Sequence, residues 1–76
     1  MNEQHRILWQ KAQNNMIANI KNSGIPLSQL ADLSGVSVTT LKNIINKKTV
    51  MRTPILIKIS KALNMSVDDF VGLKDL

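Results

Sequence analysis

Between Lys42 and Lys61 the chain carries six basic side chains, Lys42, Lys47, Lys48, Arg52, Lys58 and Lys61, and no acid. A cationic run of this kind raises the local concentration of any polyanion and suits a phosphate backbone or an anionic membrane surface. Charge alone leaves a plainly solvated basic face as the competing explanation. The other reactive side chains do not assemble into a site. His5 is the single histidine and the chain has no cysteine, so that imidazole reads as a solvated side chain rather than a ligand or a base. Asp68 and Asp69 are adjacent and would diverge by about 100° on a helix, which suits a capped first turn better than paired acid–base work. Nucleophile–base pairs, phosphate loops and metal-ligand spacings are missing from the sequence, so catalysis, a metal and a cofactor are not expected.

The 76 residues are expected to make one domain, 1–76, and a chain this short buries only about 60% of the surface its unfolded form exposes. A deep cleft or ligand pocket is hard to fit into such a core. Without cysteine there are no disulfides or thiolate sites to staple the fold, so an aliphatic core must hold it alone, an arrangement suited to a reducing cytoplasm. Apolar runs such as Ile55 to Ile57 fall far short of the roughly 18 to 20 residues a membrane span needs, and no signal-peptide pattern is evident. The expectation is a soluble, untargeted, cytoplasmic protein with no membrane partner.

Segmentation comes from caps, since no repeat, low-complexity stretch or linker divides the chain. Ile7, Leu8, Ala12, Met16 and Ile20 fall at spacings of three and four and predict a long helix from about Glu3 to Ser23, ended at Gly24. Pro26 pre-sets the backbone at the start of a second helix, whose apolar stripe is Leu27, Leu30, Ala31 and Leu33 up to Gly35. Ser37 caps a third, running to about Ile45, with Leu41, Ile44 and Ile45 inward and Val38, Thr39, Lys42, Asn43 and Asn46 on the other face. Thr53 as N-cap with Pro54 at N1 opens a fourth helix, on which Ile55, Ile59, Ala62 and Leu63 keep helical spacing up to Asn64. Ser66 opens a fifth with Asp69 three residues on, a capping-box variant. β-Branched residues follow the helical period, so the fold class is all-α: a five-helix bundle.

The stretch Leu30 to Ile45, LADLSGVSVTTLKNII, brings two short amphipathic helices together abruptly. A helix that lies in a groove of DNA must be short, exposed along one face, and braced from behind by a helix that crosses it steeply. Ala31 is small enough for close approach, Gly35 accepts a positive φ, Val36 plugs the corner, and Leu41 and Ile44 anchor the exposed helix. From Leu27 to Asn46 the chain resembles the helix-turn-helix of the phage repressor and Cro-like family. The segments GIPLSQLADLSGVS and IKISKALNMSVDDF are similar to the family's entry into its second helix and its fourth-to-fifth helix junction. The resemblance covers roughly Met16 to Leu73 and implies a lambda-repressor-like DNA-binding domain.

By position, the resemblance implies that Val38, Thr39, Lys42 and Asn43 read base edges in the major groove. Asn43 can offer adenine a paired donor and acceptor, Thr39 can bond a base or phosphate, Val38 can press on a thymine methyl, and Lys42 can reach guanine or phosphate. Phosphates would be held by Ser37, by the N–H groups at the start of the second helix with Ser28 or Gln29, and by the loop residues Asn46, Lys47, Lys48, Thr49 and Arg52. Three positions depart from the family. Ile45 stands where many members place a glutamate paired to an arginine of the first helix, which implies packing in place of that ion pair. Lys47 stands where glycine is usual, so either Asn46 takes the left-handed conformation or the helix end is reshaped. Leu27 replaces a polar phosphate ligand.

The expected function is sequence-specific binding of double-stranded DNA as a transcriptional regulator, a repressor rather than an activator, working as a homodimer. The candidate dimer surface is Phe70, Val71, Leu73 and Leu76, with Ile7, Leu8 and Trp9 as an additional face; Trp9 is expected in packing or self-association. The alternative is a protein-interaction module or antitoxin component with a protein partner, to which an apolar Val38 on the exposed helix would point.

Overall fold

Apolar residues three and four apart on short segments must be covered by one another. In the computed structural model, which describes residues 3–72, five helices do this: α1 (Glu3–Asn22), α2 (Leu27–Ser34), α3 (Val38–Ile45), α4 (Thr53–Ala62) and α5 (Val67–Val71). No strand occurs among the described residues, and the all-α, five-helix class expected from periodicity is the class found. Helix α1 packs on α5, α2 packs on both α3 and α4, and α4 packs on α5.

The core is built from Ala12, Met16, Ile17 and Ile20 of α1, Leu30 of α2, Val36 in the turn, Leu41 and Ile44 of α3, Met51, Leu56 and Ile59 of α4 and its approach, and Phe70 of α5. Ile7 and Leu8 are exposed, as an additional surface face requires, because the apolar period of α1 continues past the point where other helices cover it. Two expectations change. Leu33 keeps 56% of its surface in solvent: the buried face of α2 runs through Leu30 and Ser34, and Leu33 lies about 100° round the helix from Ser34. Phe70, expected at a dimer seam, is fully buried in the core. Val71 is half-buried against that core, while Leu73 and Leu76 lie outside the described residues.

Helix ends follow from local chemistry. The Ser23 hydroxyl donates to the Ile20 carbonyl at 2.7 Å and accepts from the Ile25 N–H at 3.2 Å, closing α1. Pro26 sits at the N-cap of α2 rather than inside it, and its carbonyl accepts the Leu30 N–H at 2.9 Å. Thr53 is the first helical residue of α4, not its cap; extended Arg52 takes that position without a side-chain cap, and Pro54 falls in the first turn. Ser66 does cap α5, accepting from the Asp69 N–H at 3.1 Å. At the end of α4, Asn64 adopts φ +59, with the Asn64 N–H donating to Lys61 and the Met65 N–H to Ser60, the paired bonds of a Schellman ending.

Two asparagines of α1 bind the end of α5. Asn19 Nδ2 donates to the Phe70 carbonyl at 2.9 Å, and Asn15 Nδ2 to the Val71 carbonyl at 3.1 Å, satisfying acceptors that a helix end otherwise leaves open. Gly72 follows at φ +71, and a Cβ there would stand 2.9 Å from Asn15 Nδ2, so the clamp needs glycine for space as well as for conformation. Phe70→Ala is expected to cost about 3 to 5 kcal/mol, a large share of the stability of a domain this small. The shift of the urea midpoint measures it, and a loss under about 1 kcal/mol would contradict the core position.

Candidate nucleic-acid interface

The turn into α3 is closed from within. Ser34 is buried; its hydroxyl donates to the Leu30 carbonyl at 2.7 Å and accepts from the Val36 N–H at 3.2 Å. Gly35 adopts φ +76 and returns its N–H to the Ala31 carbonyl at 2.9 Å, a conformation that costs a side-chain-bearing residue about 1 to 2 kcal/mol. With these polar groups satisfied, Val36 can be buried at the corner. The role of Ser34 was not anticipated; its position immediately before the turn glycine was the available signal.

Ser37 caps α3, accepting from the Thr40 N–H at 3.1 Å, while its own hydroxyl donates to Thr40 Oγ1 at 2.9 Å. In the free protein that hydrogen is turned inward, toward the helix. Leu41 and Ile44 are fully buried and Ile45 is half-buried against the core, in keeping with packing at the position where the family often places a glutamate. Thr39 and Lys42 are exposed, and Val38 and Asn43 are half-buried. About 100° per residue places Thr39, Lys42 and Asn43 on the side of the helix away from Leu41 and Ile44, with Val38 at the edge of that face, about 60° from Leu41.

The loop that follows departs from both alternatives expected at Asn46. Asn46 keeps φ −83, and Lys47 itself takes the left-handed conformation at φ +61. The Lys47 N–H donates to Ile44 at 3.0 Å and the Lys48 N–H to Asn43 at 2.8 Å, so α3 ends in a Schellman motif with lysine where glycine is usual. Asn46, Lys47, Lys48, Thr49 and Arg52 are all exposed. From the opposite side, the nearly buried Gln13 of α1 reaches across 36 positions of sequence and donates from Nε2 to the Thr49 carbonyl at 3.0 Å. Sequence reasoning missed this strut; a glutamine inside an apolar stripe was its only trace.

At the start of α2, Leu27 is half-buried and packed on the core, while Ser28 and Gln29 are exposed. No side chain caps α2, and neither α2, α3 nor α4 has an acid in its first turn. The uncapped N–H groups and the positive end of the α2 dipole are thus open to an anion. Ser28 and Gln29 belong to the first turn of α2, Ser37 is the cap of α3, and the remaining phosphate candidates lie in the loop after it, so the predicted residues fall at three places along the turn unit.

A short helix carried on two buried anchors, joined to its brace by a glycine turn and bordered by cationic loop residues, defines a helix-turn-helix domain. A family model described as helix-turn-helix, of the Cro/C1 type, matches residues 18–70, and the chain belongs to that family of DNA-binding regulators. No curated protein and no solved structure matches it. Among the described residues, no helix is long and apolar enough to cross a membrane.

The left-handed lysine gives a direct test. Lys47→Gly is expected to raise stability by about 0.5 to 1 kcal/mol, the relief of strain less the entropy glycine loses on folding. Lys47→Ala, which keeps the strain, should stay within about 0.5 kcal/mol of the parent, as is usual for surface changes. Equal urea midpoints for the parent and both variants would limit the strain at Lys47 to the entropy that glycine loses, about 0.5 to 1 kcal/mol.

Proposed function

We propose that the protein is a sequence-specific, double-stranded-DNA-binding transcriptional repressor that reads the major groove with α3. The observation that carries this is the one-sided burial of α3, which turns Thr39 and Lys42 outward and leaves Val38 and Asn43 half-accessible beside them. Asn43 would pair with adenine, Thr39 and Lys42 would bond base edges or phosphate, and Val38 would meet a thymine methyl. Ser28, Gln29 and the first N–H groups of α2, with Ser37, Asn46, Lys47, Lys48, Thr49 and Arg52, would hold phosphates and set the register. Occupancy of a promoter is enough to repress, whereas activation needs a further contact, and this favours repression.

Each good bidentate base contact supplies about 1 to 3 kcal/mol, too little in one copy to single out a genomic site. A homodimer on a palindrome, with its α3 helices about 34 Å apart, meets that need. With Phe70 buried, the exposed Ile7 and Leu8 of α1 are the better-supported dimer surface. The same two residues favour a second reading, a protein partner such as the toxin of a toxin–antitoxin pair, and this reading coexists with DNA binding. Nothing in it requires catalysis.

Selection from a random duplex pool followed by sequencing is expected to enrich a palindrome. Asn43→Ala should weaken binding to it by about 1 to 3 kcal/mol and relax preference at one position in each half-site. The logarithm of affinity should fall against the logarithm of salt with a slope of about −0.9 per phosphate contact. A pool that emerges unenriched, or binding indifferent to Asn43→Ala, would defeat the reading and turn attention to a protein partner.

A further inference from the structure

Helix α1 also faces the loop that follows α3. Between its N-terminal half and the loop after α3 runs a groove of about 500 Å³, half open to solvent, walled by Trp9, Gln10 and Asn14 on one side and by Lys47 and Lys48 on the other. Gln13 lies at its base, where its bond to the Thr49 carbonyl fixes the separation of the two walls. The Schellman ending of α3 holds Lys47 and Lys48 in place through their backbone N–H groups.

Val50 and the Trp9 ring give the groove an apolar share, and its polar side chains are one-sided in their chemistry. The two ammonium groups and the indole N–H can only donate hydrogen bonds, the two exposed carboxamides can donate, and no acid lines the groove. Such a surface is complementary to anionic oxygens. Its openness along one side suits an extended chain better than a small molecule, which normally buries most of its surface in its site. The cationic wall is also part of the loop assigned above to phosphates, so an anionic polymer on that loop would pass the mouth of the groove. Gln10 and Asn14, four residues apart, stand on the same face of α1.

We propose that the groove is an additional phosphodiester-binding strip that carries the DNA interface from the α3–α4 loop onto α1, with Gln10, Asn14 and the Trp9 indole N–H donating to backbone oxygens. The inference rests on the reading of the protein as a DNA binder and adds α1 residues to it. These contacts go to the backbone, so they strengthen binding to every duplex equally and add no base preference.

The test is made on the full chain and its selected duplex. Trp9 is the single tryptophan, so a change in indole emission on titration with duplex that persists at protein concentrations where the oligomeric state does not change reports on this groove. The double variant Gln10→Ala, Asn14→Ala should remain helical by circular dichroism, because alanine is favoured at exposed helix positions. It should bind both selected and scrambled duplex about four- to twenty-fivefold more weakly, about two- to fivefold for each neutral hydrogen bond lost. Phosphate-ethylation interference should lose one flanking signal in this variant and keep those assigned to the loop. Selected duplex bound with unchanged Trp9 emission and an unchanged interference pattern would overturn the strip while leaving the reading by α3 standing. A saturable emission change with adenosine 5′-monophosphate, and none with duplex, would overturn it in favour of a small-ligand groove. Failure of the parent protein to bind any duplex would remove both the strip and the DNA reading on which it rests.

Discussion

Helix α3 spans eight residues, and isolated helices shorter than about 12 to 15 residues are marginal in water. It persists because Leu41 and Ile44 are driven fully into the core, and much of the molecule serves that burial. Helix α2 lies across it, Val36 fills the corner between them, and the Ser34 hydroxyl satisfies the turn's polar groups so that the corner can be dry. Because the anchors occupy one side, the opposite side is released from any packing duty. The side chains there are not held by the core.

Two Schellman endings among the described residues make that division visible. Asn64 and Lys47 occupy equivalent left-handed positions after α4 and α3. Asparagine is among the residues that tolerate this conformation, whereas lysine has no such allowance. Local stability would prefer glycine or asparagine at both. The lysine sits beside Lys48 on the exposed loop that ends the helix with the polar face, and there a positive charge is the property that glycine could not supply. Two backbone bonds and the Gln13 strut offset the strain.

What was legible in the sequence depended on how local its cause was. The caps Ser37 and Ser66 could be read because their bonds close within three residues. The anchors Leu41 and Ile44 could be read because three-residue spacing on a short helix leaves few ways to face. Thr53 was displaced by one position because a proline in the first turn is compatible with either neighbour as the cap. Phe70 was misplaced for a different reason: a helix of five residues has too little period to tell inside from outside. Ile7 and Leu8 repeat the pattern of Ala12 and Met16, and only the tertiary arrangement decides where covering helices stop. Gln13 was invisible because its partner lies 36 residues away.

That distant partner changes what α1 is for. At about 1.5 Å per residue its 20 residues span roughly 30 Å, yet its deeply buried apolar residues run only from Ala12 to Ile20. Gln13 and Asn15, two positions apart, point about 200° apart around the axis, one to the loop after α3 and the other to the end of α5. The carboxamides on α1 therefore fix two otherwise independent backbone endings to a single rigid rod. A shift of α1 against the core would move the loop and the α5 terminus together. The position of the cationic loop relative to α3 is thus set both by the backbone bonds that end the helix and, through Gln13, by the fold beyond it.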